Sequence, residues 1–243
     1  MNESGRLRAV LFDLDGVLTP TAAVHMRAWR EIFESVFVAH SLAPAYTDVD
    51  YFAHVDGRPR YDAVDALLRT RGLTAPWGSP SDGPDAETVC GIGNRKNARF
   101  EELLSHDGVE PYPDAIDALD AIAAVAMPAA VVSSSRNARD VLAAAGIADR
   151  FDVVVDGNVA EREALSGKPA PDTFLRAADL LGVTAEEAVV VEDAVAGVAA
   201  GRAGDFGLVI GVDRGAGADA LRTAGADLVL TSLTALREVL LDA

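Results

Sequence analysis

Cysteine is almost missing from this chain. Cys90 is the single one in 243 residues, so no internal disulfide can form and nothing points to an oxidising compartment. Basic residues are scarce as well. Lys and Arg number 21 against 38 Asp and Glu, a net charge of −17, and so acidic a surface argues against nucleic acid and anionic membrane as partners. Long apolar runs are lacking too: the longest, Ala121 to Val132, contains Pro128 and is too short to span a bilayer. Met1 to Arg6 lead into the first apolar segment without a hydrophobic h-region, so no signal peptide is read. There is no internal repeat and no low-complexity tract. Together these absences lead to the expectation of a soluble, cytoplasmic protein.

Half of the residues are apolar and 24% are charged, enough to bury a sizeable core. The length is about one and a half typical domains, which suits one core with an inserted smaller domain. From Pro113 onward the pattern alternates: helix over 115–126, strand 129–133, helix 136–145, strand 151–155, helix 171–181, strand 188–192, helix 194–203 and strand 207–212. Such alternation predicts βαβ units and a parallel sheet. Residues 11–14 supply a further strand. Between 21 and 105 only helical spacing recurs, with Val24, Ala28, Ile32 and Phe33, then Ala63, Leu67 and Leu68, then a charged helix over 94–104. Residues 75–85 hold Pro76, Gly78, Pro80, Gly83 and Pro84 and read as a loop. The expected fold is therefore α/β. Residues 1–19 and 108–243 form a Rossmann-like parallel-sheet core, and 20–107 form an inserted all-helical cap that serves as a lid on the sheet's C-terminal edge.

Four segments carry chemistry. Leu11-Phe12-Asp13-Leu14-Asp15-Gly16 puts two carboxylates on one side of a strand end, at the edge where open α/β sheets bind ligands. A carboxylate there can attack phosphorus or hold a metal, although an Asx turn closed by Gly16 would look the same. Val131-Val132-Ser133-Ser134-Ser135-Arg136-Asn137 ends a β-branched strand in hydroxyls before a helix, which suits an anion and exceeds what simple capping needs. Ser166-Gly167-Lys168-Pro169-Ala170-Pro171 holds a lysine stiffly ahead of a helix. Val189-Val190-Val191-Glu192-Asp193 ends a buried strand in two adjacent acids. Such a pair repels unless a cation compensates it, and hard oxygen ligands favour Mg²⁺.

In kind and in order these four segments resemble the four motifs of the haloacid dehalogenase superfamily, and the Asp-x-Asp form points to its phosphoryl-transfer branch. Thr21-Ala22-Ala23-Val24-His25-Met26-Arg27-Ala28-Trp29, Gly57-Arg58-Pro59-Arg60-Tyr61-Asp62 and Asn94-Arg95-Lys96-Asn97 are similar to the cap signatures of the β-phosphoglucomutase-like family. The resemblance runs through essentially the whole chain. Pro20 stands where an acidic hinge residue is frequent, Arg136 where Lys is frequent, and the 75–85 loop is extra.

The resemblance implies Asp13 as nucleophile, forming an aspartyl-phosphate, and Asp15 as general acid–base. Mg²⁺ would be held by Asp13, the main-chain carbonyl of Asp15, Glu192 and Asp193, while Ser133 and Lys168 donate to the phosphate. A mutase also needs a second anion grip, for which Arg60, Ser135, Arg136 and Asn137 are candidates. His25 and Lys96 would help to place the sugar. The expected activity is conversion of β-D-glucose 1-phosphate to glucose 6-phosphate through a 1,6-bisphosphate. A sugar-phosphate phosphatase using the same aspartate is the alternative, and a silent sugar-phosphate sensor a third reading. The partner expected is a small phosphosugar.

Overall fold

The computed structural model describes residues 7–239, except 152 and 237 and the side chain at position 107. Residues 1–6, expected above to run into the first strand, lie outside the described residues. The chain divides into two compact units, one made of the residues up to Pro20 and from Val109 onward, the other of Thr21–Gly108.

The first unit is built on β1 (Ala9–Phe12), β2 (Ala129–Val132), β3 (Val153–Val155), β4 (Ala188–Glu192), β5 (Leu208–Val212) and β6 (Leu228–Leu230). They form one six-stranded sheet in the order β3-β2-β1-β4-β5-β6, with every ladder parallel. β1 and β4 read as unbroken apolar runs because both faces are covered, and Ala9 to Phe12 and Val189 to Val191 are fully buried. The chain winds outward from β1 through β2 to β3, then returns to β4 on the other side of β1. That reversal between β1 and β4 is the switch point at which sheets of this order open a ligand crevice. Phe12 pairs with Val131 and with Val191, so the residues just beyond β1, β2 and β4 emerge side by side. β6, short and half-buried at the sheet's edge, was not legible in the sequence.

The second unit holds α1 (Thr21–Ala39), α2 (Asp48–His54), α3 (Arg60–Thr70) and α4 (Val89–Asp107). α1 buries Trp29, Ile32, Phe33, Val36 and Phe37, the spacing of one helical face. These meet Tyr46, Tyr51, Val64, Leu67, Leu68, Val89 and Ile92 in a core of their own, with Phe33 stacked between Trp29 and Tyr46 at 5.0 and 5.3 Å. α2 escaped the periodicity reading, although Thr47 and Asp50 form a capping box at its start. α4 begins at Val89 rather than near Asn94, because Thr88 caps it by accepting from the Gly91 amide at 2.9 Å.

The helices that matter to the site in the first unit are α5 (Pro113–Ala124), α6 (Ala138–Ala144), α7 (Gly157–Arg162), α8 (Asp172–Leu181) and α9 (Val195–Ala203). α6 begins at Ala138, two residues later than expected, because Ser133 and Ser135 take up the intervening backbone in turns. Among the described residues no helix is long and apolar enough to cross a membrane.

Candidate active site

Asp13 follows β1 directly, and its amide continues the ladder by donating to Val191 O at 2.9 Å. The chain then turns tightly: Gly16 N donates to Thr19 O at 2.8 Å and Leu18 N to Leu14 O at 3.0 Å. Gly16 has φ +92°, and a Cβ there would overlap the Asp193 carboxylate. Only glycine satisfies both the left-handed backbone and the close approach.

Lys168 is the centre of the site. It is 2% exposed, and its Nζ donates to Asp13 Oδ1 at 2.5 Å, Glu192 Oε1 at 2.7 Å and Val132 O at 2.9 Å. An ammonium has three donors, so all are used. Phe174, in the first turn of α8, places its ring centroid 4.9 Å from Nζ. The loop that delivers Lys168 is tied down by Asp172, which accepts from the Ser166 amide at 2.9 Å. Burial works against the charge on Lys168, yet Asp13 and Glu192 outweigh it and hold its pKa above the ordinary lysine value.

Glu192 ends β4 fully buried. Its Oε1 takes Lys168, and its Oε2 accepts from the Ala194 amide at 2.9 Å. A Cβ on Gly197 would overlap this carboxylate, so that glycine in the first turn of α9 makes its room. Both Glu192 oxygens are thus engaged within the protein, a tighter role than that of a ligand alone. Oxygen atoms of Asp13, Glu192 and Asp193 lie within 4.8 Å of one another, all three residues buried. The carboxylate of Asp15 is not in that cluster. Burial pushes the Asp13 carboxyl well above the usual carboxylate range; Lys168 pulls it down, while Glu192 and Asp15 add to the rise. Acid thus outnumbers base around Lys168. A small, hard divalent cation fits this donor set by charge and by ligand type.

Ser133 accepts from the Ser135 amide at 3.0 Å, and its Oγ donates to Asp15 Oδ2 at 3.4 Å, a long contact. Ser135 Oγ in turn accepts from the Asn137 amide at 3.2 Å. Asn137 is buried, and Arg136 pairs with Glu161 of α7 at 3.1 Å. The structure therefore brings Asp13, Asp15, Ser133, Lys168, Glu192 and Asp193 to one edge of the sheet, with Ser135, Arg136 and Asn137 in the loop after β2.

In the helical unit, Lys96 is 3% exposed. Its Nζ hydrogen-bonds His25 Nδ1 and sits 5.0 and 4.8 Å from the ring centroids of Trp29 and Phe100, while His25 stacks on Phe100 at 4.0 Å. Arg60 donates to Asn97 Oδ1. Three of the residues read from the sequence thus gather along α1, α3 and α4 of this unit.

Sequence and structure comparisons agree in direction. A family model described as haloacid dehalogenase-like hydrolase matches residues 7–205. A β-phosphoglucomutase of Mycobacterium bovis is 47% identical over 241 residues, covering 95% of this chain and 92% of that protein. The fructose-1-phosphate phosphatase YqaB of Escherichia coli is 28% identical over 198 residues, covering 82% of this chain and 93% of that one. The crystal structure of a β-phosphoglucomutase from Clostridium difficile aligns with TM-score 0.74 at 25% identity, over 95% of this chain and 93% of the other.

Proposed function

From a chain that belongs to the haloacid dehalogenase-like hydrolase family and is an enzyme of the β-phosphoglucomutase type, we propose a specific reaction: Mg²⁺-dependent interconversion of β-D-glucose 1-phosphate and glucose 6-phosphate through an aspartyl-phosphate and a 1,6-bisphosphate. The observation that carries this reading is the Asp13–Lys168–Glu192 contact, a carboxylate held by a buried ammonium at the switch point of the sheet.

Lys168 fixes one oxygen of Asp13, which leaves the other to attack phosphorus in line with the leaving sugar oxygen. Mg²⁺, held by Asp13, Asp193, Glu192 and the main-chain carbonyl of Asp15, would supply charge neutralisation that lets a phosphate dianion approach this acidic site. Asp15, two residues on, hands a proton to the departing sugar oxygen and takes one from the incoming hydroxyl. Ser133, whose hydroxyl donates to Asp15 before substrate binds, turns that single hydrogen to the transferring phosphoryl group when phosphate is bound. The aspartyl-phosphate divides one hard displacement into two. We assign Arg60 to the phosphate that is not being transferred, with Ser135, Arg136 and Asn137 adding anion contacts, and His25 and Lys96 to the sugar.

The phosphatase reading uses the same aspartate, with water as acceptor, and draws support from the fructose-1-phosphate phosphatase relative. Product analysis separates the two. With β-glucose 1-phosphate, Mg²⁺ and a trace of the bisphosphate, the mutase reading expects glucose 6-phosphate to form in large excess over inorganic phosphate. Phosphate in step with substrate loss would establish the hydrolase instead. Replacing Glu192 and Asp193 together by Ala is expected to abolish Mg²⁺ binding in a calorimetric titration; unchanged affinity would remove the acidic pair from the metal's ligands.

A further inference from the structure

The Pro/Gly-rich segment before α4 is knitted into that helix. Between Thr70, the end of α3, and Val89, the start of α4, lies neither helix nor strand, yet the stretch is densely bonded. Val89 N donates to Pro76 O at 2.9 Å and Cys90 N to Trp77 O at 3.0 Å, so loop carbonyls satisfy amides that a helix start leaves open. Asp82 accepts from the Ser79 amide at 3.1 Å and from Thr88 Oγ1 at 2.6 Å. Arg95 reaches back to Pro84 O at 2.7 Å. Gly91 lies against the Ala86 carbonyl, where a Cβ would clash.

Asn94 joins this loop to α3. Its Nδ2 donates to Pro80 O at 3.1 Å and to Asp82 O at 2.8 Å, and its Oδ1 accepts from the Tyr61 hydroxyl at 2.9 Å. Both amide hydrogens and the carbonyl are therefore in use. One residue earlier, Gly93 is where α3 touches α4. A Cβ there would sit 2.8 Å from the Tyr61 ring and 3.1 Å from Arg60 Cγ. One turn later Asn97 takes the Arg60 guanidinium. Arg60 thus runs along α4 from Gly93 to Asn97, an i, i+4 interval, beside a tyrosine locked by Asn94.

We propose that Tyr61, Gly93 and Asn94 are positioning residues, and that the 76–88 loop acts through them to set where Arg60 presents its guanidinium to the phosphate that is not transferred. This rests on the role of Arg60 given under the proposed function. The planar fork of arginine binds an anion well only in the right orientation, and a long side chain loses rotamer freedom when it is held. The link therefore acts on substrate binding more than on chemistry at Asp13.

The test is steady-state kinetics on β-glucose 1-phosphate with Mg²⁺ and glucose 1,6-bisphosphate, together with thermal unfolding, for the full chain and for Tyr61→Phe, Asn94→Ala, Gly93→Ala and Arg60→Ala. Tyr61→Phe is expected to raise KM about three- to tenfold, the scale of one neutral hydrogen bond, with kcat nearly unchanged and Tm lowered by no more than about 4 °C. Gly93→Ala is expected to raise KM at least as much, although alanine is the better helix former. The Tyr61→Phe/Asn94→Ala double variant should add little to Asn94→Ala alone, because both cut one link. Unchanged KM in Tyr61→Phe and Gly93→Ala beside a raised KM in Arg60→Ala overturns the positioning role and leaves Arg60 in place. Unchanged KM in Arg60→Ala, or no turnover of β-glucose 1-phosphate by the wild type, overturns the reading of Arg60 and this proposal with it.

Discussion

Two buried lysines divide this molecule between them. Lys168 of the α/β unit spends its three donors on two carboxylates and a carbonyl. Lys96 of the helical unit meets an imidazole and two aromatic rings. The first is a charge committed to other charges. Removing it leaves Asp13 and Glu192 facing each other in a dry site, and breaking a buried pair in that way is costly. The second packs its ammonium against an imidazole nitrogen and two ring faces of its own unit, contacts individually weaker than a buried ion pair. The difference separates the two units: the α/β unit spends its lysine on fixing two carboxylates, whereas the helical unit surrounds its lysine with rings, which on the proposed function would serve the nucleophile and the sugar respectively.

Substitutions can break this contrast, and the largest effect is expected at the nucleophile. Asp13→Asn should lower turnover by on the order of 10⁴-fold or more while the far-ultraviolet spectrum and oligomeric state stay as in wild type. An active Asp13→Asn enzyme, free of contaminating wild type, would end the covalent mechanism. Next comes the lysine pair itself. Lys168→Met should destabilise the metal-free protein by about 3 kcal/mol, the low end for a broken buried pair because Asp13 can take up a proton, and should nearly abolish activity. Lys96→Met keeps the packing on the rings but loses the His25 hydrogen bond; it should cost less stability than Lys168→Met, with its main effect on KM. Equal losses of stability, measured by urea unfolding, would erase the distinction between the two sites.

Arg60→Ala sharpens the comparison on the side of the helical unit. Losing one charge-assisted contact to the distal phosphate should cost roughly 2–3 kcal/mol, on the order of a 30- to 150-fold fall in mutase efficiency. Acetyl phosphate has no distal phosphate, so its slow hydrolysis through Asp13 should persist. An equal and small effect on both substrates would shift the reading to a hydrolase. Gly16→Ala should have a smaller effect on stability than Lys168→Met but a clear one on Mg²⁺ affinity, since the added methyl can only be housed by displacing Asp193. Unaltered Mg²⁺ binding in that variant would show that the carboxylate's place there is not needed.

Much of the α/β unit was legible in the sequence because its logic is local. Each reactive residue stands just past an apolar run, and an apolar run with both faces buried announces a parallel strand. Asp13, Ser133 and Glu192 could thus be assigned to one sheet edge before any coordinates. Residues that act by having no side chain were harder to read. Gly16 and Gly197 make room for Asp193 and Glu192, and nothing in composition says which carboxylate will need the space. Phe174 under Lys168 was hidden for a similar reason, since its role comes from a contact distant in the chain. In the helical unit the early start of α4 was masked by Gly91 and Gly93, which weaken any helix pattern. Their reason appears only with the loop carbonyl and the tyrosine that lie against them. The serines after β2 suggested a helix start, whereas in the fold Ser133 and Ser135 bond the amides two residues ahead, a local competition that delays the helix to Ala138.

The central claim, that Asp13 carries the phosphoryl group and a sugar rather than water receives it, is tested most directly by a labelling chase. Enzyme is mixed with radiolabelled glucose 1,6-bisphosphate and Mg²⁺, quenched rapidly in acid, and the labelled peptide sequenced. A second sample is chased with β-glucose 1-phosphate and a third with buffer alone. The account predicts label on the Asp13 peptide, and its transfer to newly formed bisphosphate much faster with sugar than its release as phosphate without. Label absent from Asp13, or released as inorganic phosphate at one rate in both chases, would contradict it.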